Sequence, residues 1–301
     1  MGLRSLHDVA APAKLNLFLH VVGRRADGYH LLQSAFVLID WCDTLHFEAR
    51  TDGTLVRHDL SVQLPADDLC LRAARSLQRE SGTTLGADIS IEKQVPWGAG
   101  MGGGSSDAAS TLLALNVLWG LDWPLQRLLK LGLGLGADVP FFLGGHNAFV
   151  EGIGERLTAL ALRRQWLAVL KPPAGIATRD IFDSPLLVRN SEAVILEGLL
   201  ASAGERAHGG HDLGAEKLWE YGRNDLQPAA QSQCPEVAQA ARLLEVRFGN
   251  SRMTGSGSAV FARAGHEDQP MATMPALPAP GWVGRMCRSL EAHPLLGWAR
   301  D

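Results

Sequence analysis

The feature that most constrains this chain is a cluster of glycines set between a strand pattern and a long apolar run. Residues 96–104 read Pro-Trp-Gly-Ala-Gly-Met-Gly-Gly-Gly, after the alternating Ile89-Ser90-Ile91-Glu92 and before Ser105-Ser106-Asp107-Ala108-Ala109. Glycine lets a backbone approach a ligand closely and adopt positive φ without steric cost. Successive backbone N–H groups in such a loop converge on an anion. The spacing predicts a helix from Ser105 to about Trp119, whose free N–H groups and dipole favour the same negative charge. Strand, glycine loop and helix start together define a phosphate site. Its candidate residues are Pro96, Trp97, Gly98, Ala99, Gly100, Met101, Gly102, Gly103, Gly104, Ser105 and Ser106, and Ser106 is also a candidate magnesium ligand.

Two common phosphate motifs do not fit. Gly98-x-Gly100-x-x-Gly103 matches the dinucleotide fingerprint in form, but its acidic partner should end the next strand. Asp122, at about the right offset, falls between two helical patterns. The lysine of a Walker A loop is missing.

Composition narrows the class further. The 301 residues suffice for two domains, with 46% hydrophobic content and a net charge of −4. That balance argues against a nucleic-acid partner, and no apolar run reaches the ~18 residues of a membrane span. No secretory signal precedes Ala13. Cys42, Cys70, Cys234 and Cys287 are scattered and read as reduced thiols, and the histidines, His208 and His211 included, form no zinc pattern. The expectation is a cytoplasmic enzyme.

Along the chain, residues 13–22 alternate, with Leu15, Leu17 and Leu19 on one face and Lys14, Asn16, Phe18 and His20 on the other. A turn at 23–28 leads to a strand over 31–40, and a separate strand is expected over 44–50. Asp67-Asp68 caps a helix to about Glu80, and Pro124 begins another. Further on come a strand at 166–170, a helix at 193–203, a loop at 204–214, a helix at 235–248 and a strand at 259–262. Four prolines make 264–281 an irregular connection. The pattern implies α+β layers divided near 150–165.

Four segments, in order, resemble the GHMP kinases, the superfamily of galactokinase, homoserine kinase and mevalonate kinase. They are Ala11–Leu19 with Arg25-Ala-Asp-Gly-Tyr-His30, the loop 96–109, Leu135-Gly-Ala-Asp-Val-Pro140, and Arg252-Met-Thr-Gly-Ser-Gly-Ser-Ala-Val-Phe261. The paired Lys-Leu-Asn-Leu and Ala-Asp-Gly-Tyr-His segments point to the branch acting on a cytidine diphosphate-linked methylerythritol. The family often has Asp-Asn-Leu where this chain has Asp67-Asp68-Leu69, so no adenine contact is carried over there.

The resemblance implies a ribosomal-protein-like nucleotide domain at 1–160 and a ferredoxin-like substrate domain at 161–301, with the active site between them. It implies an ATP- and Mg2+-dependent kinase. Lys14 and Asp138 would be catalytic, with Lys14 holding Asp138 as a carboxylate. By residue pattern alone, Lys14 reads as a solvated strand residue and Asp138 as a turn or helix cap. Tyr29 and Phe182 would sandwich the cytosine, His30 would read its edge, and Asn16 and Thr178 would line the acceptor site. Thr254-Gly255-Ser256-Gly257 would support the phosphate loop, although a packing hairpin fits the pattern equally. The rival readings are another GHMP small-molecule kinase, of homoserine, sugar or mevalonate type, and a non-catalytic nucleotide-binding module.

Overall fold

The computed structural model describes residues 3–201, 217–266 and 268–300. Its spine is a long antiparallel hairpin of β1 (Ser5–Arg24) and β2 (His30–Arg50), paired from Ser5↔Glu48 to Arg24↔His30. The two strands expected over 31–40 and 44–50 are one. Between them the pairing jumps from Ala13↔Ile39 to Pro12↔Cys42, a bulge that bends β2 without ending it. A second register shift between Asn16 and Leu19 breaks the simple alternation of β1. Leu15, Leu17 and Phe18 consequently share one buried cluster, while Leu19 joins another.

β3 (Leu55–Asp59) pairs in parallel with β4 (Gly86–Glu92) across α1 (Leu69–Ser81), completing a right-sized crossover. Asp68 caps α1 by accepting the Leu71 N–H, and Gly82 ends it in the left-handed region at φ 69°. β5 (Ala148–Gly152) and β6 (Arg156–Ala159) complete the first sheet in the order β3-β4-β2-β5-β6, with β1 against β2. The helices α2 (Gly103–Leu118), α3 (Leu125–Leu133) and α4 (Val139–Gly144) cover it. Phe47, Ile89, Leu112, Leu115, Phe141 and Phe142 fill the space between helices and sheet.

The second sheet holds β7 (Trp166–Lys171), β8 (Arg252–Met253), β9 (Val260–Gly265) and β10 (Val283–Arg288), all antiparallel in the order β10-β7-β9-β8. Last, first, third and second strands side by side is the ferredoxin-like arrangement. Between β7 and β8 lie α5 (Thr178–Asp183), α6 (Leu196–Ala201), α7 (Gln227–Gln233) and α8 (Pro235–Phe248). α8 buries Val237, Ala240 and Leu244 in the core beneath this sheet. The proline-rich stretch between β9 and β10 forms no helix among its described residues. The loop expected at 204–214 lies outside the described residues, as do His208 and His211.

Leu15 and Leu17 of β1 pack with Leu167, Val169, Phe261 and Cys287 of the second sheet, so an apolar core joins the two halves. The chain end returns to the first half: Leu295 enters its core, and the Leu125 N–H donates to the Arg300 carbonyl at 2.7 Å. All four cysteines are free thiols. Among the described residues no helix is long and apolar enough to cross a membrane.

Candidate active site

The glycine loop alternates in a way that explains its sequence. Gly98, Gly100 and Gly102 take left-handed φ values of 61°, 72° and 71°. Ala99 and Met101 between them are buried and anchored in the core shared by the two halves. Side chains therefore face inward and bare backbone faces out. The helix begins two residues earlier than the pattern predicted, with Gly102 as its N-cap. The N–H groups of Gly103, Gly104 and Ser105 precede the first helical bond, from the Ser106 N–H to the Gly102 carbonyl at 2.9 Å. Ser106 is fully buried, and its hydroxyl has no hydrogen-bond partner among the described residues.

The turn at 254–258 packs directly against this loop. The Ser258 N–H donates to the Gly98 carbonyl at 3.3 Å, and the Ala259 N–H to the Ala99 carbonyl at 3.2 Å. Thr254 Oγ1 accepts the Asn16 N–H at 2.9 Å and lies 3.2 Å from Asn16 Oδ1. A Cβ on Gly100 would stand 2.3 Å from the Thr254 carbonyl oxygen. The turn thus packs backbone to backbone on the glycine loop.

Lys14 is not solvated. It is 4% exposed, its N–H donates to the Met101 carbonyl at 2.9 Å, and its Nζ donates to Asn16 Oδ1 at 2.7 Å. The same Nζ lies 3.6 Å from Asp138 Oδ2 and 4.4 Å from the Phe36 ring centre. Burial lowers the lysine pKa below its ordinary value, against the opposing pull of Asp138. Asn16 is held in turn by its Nδ2 donating to Ser34 Oγ at 2.9 Å. Asp138 occupies the residue before α4, yet its side chain makes no capping bond. The capping reading fails, and the carboxylate is turned to Lys14.

Two clefts meet at the loop. One, of about 290 Å³, is lined by Lys14, Asn16, Ser34, Asp138, Thr178, Phe182 and Ser256. The other, of about 430 Å³, lies on the far side against Leu64, Asp67, Asp68, Leu69, Lys93 and the residues from Val95 to Ser105. Gly98, Gly100 and Gly102 line both. The bare stretch of loop is thus a wall shared by the two clefts. Thr178 Oγ1 sits 2.8 Å from Ser256 Oγ at the rim of the smaller cleft.

The aromatic residues are arranged differently from the expectation. His30, not Tyr29, stacks on Phe182, with ring centres 4.9 Å apart and planes at 22°. Tyr29 is 62% exposed at the hairpin turn and does not line the cleft. Burial, with help from Arg24 and Arg189, lowers the His30 pKa, so the ring is neutral at neutral pH. Its Nε2 is buried with no partner among the described residues.

Sequence reasoning missed Thr254 as a direct partner of Asn16, Ser34 as the support behind it, and Lys93 beside the loop. Asp107 stands within the 96–109 motif and Lys93 just before it, and their contact joins residues on opposite sides of the loop. No periodicity signals such a pairing.

Residues 68–146 match the GHMP kinases N-terminal domain, and residues 196–272 match the GHMP kinases C-terminal domain. Fold and site together make this chain a GHMP kinase. The 4-diphosphocytidyl-2-C-methyl-D-erythritol kinase of Methylibium petroleiphilum is 63% identical over 99% of this chain and 100% of its own. That of Albidiferax ferrireducens is 54% identical over 99% and 96% respectively. A crystal structure of 4-(cytidine 5'-diphospho)-2C-methyl-D-erythritol kinase superposes with a TM-score of 0.69 at 34% identity, covering 85% of this chain and 89% of that one. Within the superfamily, the chain belongs to the 4-diphosphocytidyl-2-C-methyl-D-erythritol kinase family.

Proposed function

We propose that this enzyme transfers the γ-phosphoryl group of ATP to the 2-hydroxyl of 4-diphosphocytidyl-2-C-methyl-D-erythritol. The observation that carries the reading is the Lys14–Asp138 pair, 3.6 Å apart, on the smaller cleft where the glycine loop forms its wall. Phosphoryl transfer needs positioning and charge stabilisation more than covalent help. The backbone N–H groups of 98–105 hold the donor phosphates from the larger cleft. Asp138 orients the acceptor hydroxyl and takes its proton, and Lys14 offsets charge developing between the two substrates. Asn16 fixes the lysine's rotamer and is itself fixed by Ser34 and Thr254.

The donor set fits a magnesium ion. Mg2+ in kinases keeps several waters and takes only one or two protein oxygens besides phosphate. The unbonded Ser106 hydroxyl near the start of α2 is such an oxygen. The ion supplies positive charge at the donor phosphates when bound. On the acceptor side, Phe182 offers a ring face, His30 an unbonded Nε2 for a base edge, and Thr178 a rim hydroxyl, with Tyr29 folding over the outside. The functional division runs between β6, which ends at Ala159, and β7, which begins at Trp166. Residues 1–160 act as the nucleotide domain and 161–301 as the substrate domain, whose Thr178, Phe182 and Ser256 close the acceptor cleft against Lys14, Asn16 and Asp138 of the first, in a cytoplasmic enzyme.

Steady-state ADP release from the purified enzyme tests this. The cytidine substrate should support turnover, while homoserine, galactose and mevalonate should not. Turnover with one of these and none with the cytidine substrate overturns the acceptor assignment.

A further inference from the structure

Beneath the loop, on the side away from the catalytic pair, three charged side chains meet out of solvent. Lys93 Nζ contacts Asp43 Oδ2 and lies 2.6 Å from Asp107 Oδ2. Their side chains are 8%, 0% and 3% exposed. The three come from different places. Asp43 is on β2, Lys93 follows the last residue of β4, and Asp107 is in the second turn of α2. Lys93 therefore stands at the entry to the glycine loop and Asp107 just past its exit. We propose that Lys93 is a positioning residue for nucleotide binding: its ammonium, held between Asp43 and Asp107, clasps the two ends of the glycine loop and sets its span.

The surroundings support a clasp over a simple ion pair. Entry to the loop is fixed from outside by Asp43 Oδ1, which accepts the Gln94 and Val95 N–H groups at 2.6 and 2.8 Å. Ser61 Oγ accepts the Lys93 N–H at 2.8 Å, and Trp41 Nε1 donates to the Gln94 carbonyl at 2.9 Å. The ammonium carries that fixed point across to α2, beside Val95, whose Cγ1 would stand 3.1 Å from a Cβ on Gly103. A Cβ on Gly103 would stand 3.5 Å from Lys93 Nζ, so the ammonium lies directly under the helix start. Both Lys93 and Asp107 line the larger cleft and neither lines the smaller one. A buried cation between two carboxylates costs desolvation that an apolar trio would not, which fits a geometric duty. Burial and the neighbouring Asp43 raise the Asp107 carboxyl to about 8, consistent with one cation shared by two acids.

The inference rests on the loop being the nucleotide cradle, and the test separates the two. Asp107→Leu cuts the tie to α2 while leaving Lys93 balanced by Asp43. Asp107→Asn keeps an oxygen for the lysine. Titration of each with a non-hydrolysable ATP analogue, and steady-state KM for both substrates, gives the readout. The expected result is a rise of about ten-fold or more in nucleotide Kd and KM for Asp107→Leu, with acceptor KM within about two-fold of the parent and Asp107→Asn within about three-fold. A folded Asp107→Leu that melts earlier but binds nucleotide as the parent does overturns the clasp and leaves a structural ion cluster. Should Asp107→Leu not fold, Asp107→Ala cuts the same tie without a steric clash and is read the same way. Gly102→Val serves as the control on the cradle. If it binds nucleotide normally, the loop reading fails; if it alone loses binding, the clasp alone fails.

Discussion

Gly100 and Gly255 stand back to back: a Cβ on Gly255 would come within 2.7 Å of the Gly100 carbonyl oxygen. Each belongs to a different glycine turn, one at the phosphate loop and one between β8 and β9. The contact shows why two turns far apart in sequence both require glycine. Each has positive φ, 72° and 54°, and each lies where a side chain would push the other backbone away. The loop's shape thus depends on a residue in the opposite half of the molecule.

Gly255→Ala should therefore act at a distance. A non-glycine residue forced into the left-handed region costs about 1–3 kcal/mol, and the clash adds displacement of the loop. The expected outcome is a lower melting temperature together with weaker nucleotide binding in a fluorescence or calorimetric titration. Parental nucleotide affinity in the folded variant would show that the second turn does not template the first.

The loop's shape was legible in sequence because the glycines at 98, 100 and 102 stand where the backbone turns left-handed. Gly103, in the same glycine run, is the first helical residue and lies outside the positive-φ set. Helix starts blur because glycine serves both as cap and as first-turn residue. Lys14 misled by pattern alone. A strand lysine opposite three leucines looks solvated, yet here the second half covers one face of β1 and the cleft receives the other. The break expected between residues 40 and 44 does not occur, although Asp40 and Asp43 flank it. Asp43 is instead buried, paying its desolvation with Lys93 and two backbone N–H groups. What sequence could not carry were contacts between segments, since these depend on how sheets stack.

Asp138→Asn is nearly isosteric but takes no proton at neutral pH. Turnover should fall by at least about 10²-fold, the low end of general-base contributions. Nucleotide affinity should stay near the parent's, because Asp138 lines the acceptor cleft and not the larger one. Single-turnover phosphoryl transfer in rapid quench is the direct measurement. A parental rate would remove Asp138 from the chemistry.

Lys14 predicts an alkaline limb. Burial holds its pKa below the ordinary 10.5, and the nearby Asp138 carboxylate opposes that shift. The protonated form is the active one, so kcat should decline with rising pH before 10.5 is reached. Replacing Asp138 by Asn removes the opposing pull, and the limb of the residual turnover should move to still lower pH. A limb that stays put in Asp138→Asn would separate it from Lys14.

The acceptor side gives the last test. An aromatic face against a base contributes about 1–3 kcal/mol by alanine substitution and discriminates little among bases. Selectivity for cytosine must then come from hydrogen bonds, and His30, neutral and with a buried Nε2 that has no partner among the described residues, is the residue expected to make one. Phe182 already stacks on His30, whereas Tyr29 is exposed at the hairpin turn. Phe182→Ala should raise KM for the cytidine substrate by about ten-fold or more, through loss of a stacking face and of the support that orients His30. Tyr29→Ala should also raise it by about ten-fold if the ring closes over the bound base, and both should leave KM for ATP within about two-fold. CDP should compete with the acceptor in the parent enzyme and lose potency in both variants. If Phe182→Ala weakens CDP and Tyr29→Ala does not, the stacking face belongs to Phe182 and His30 alone. If CDP fails to compete at millimolar concentration, the cleft beside Lys14 and Asp138 does not hold cytidine.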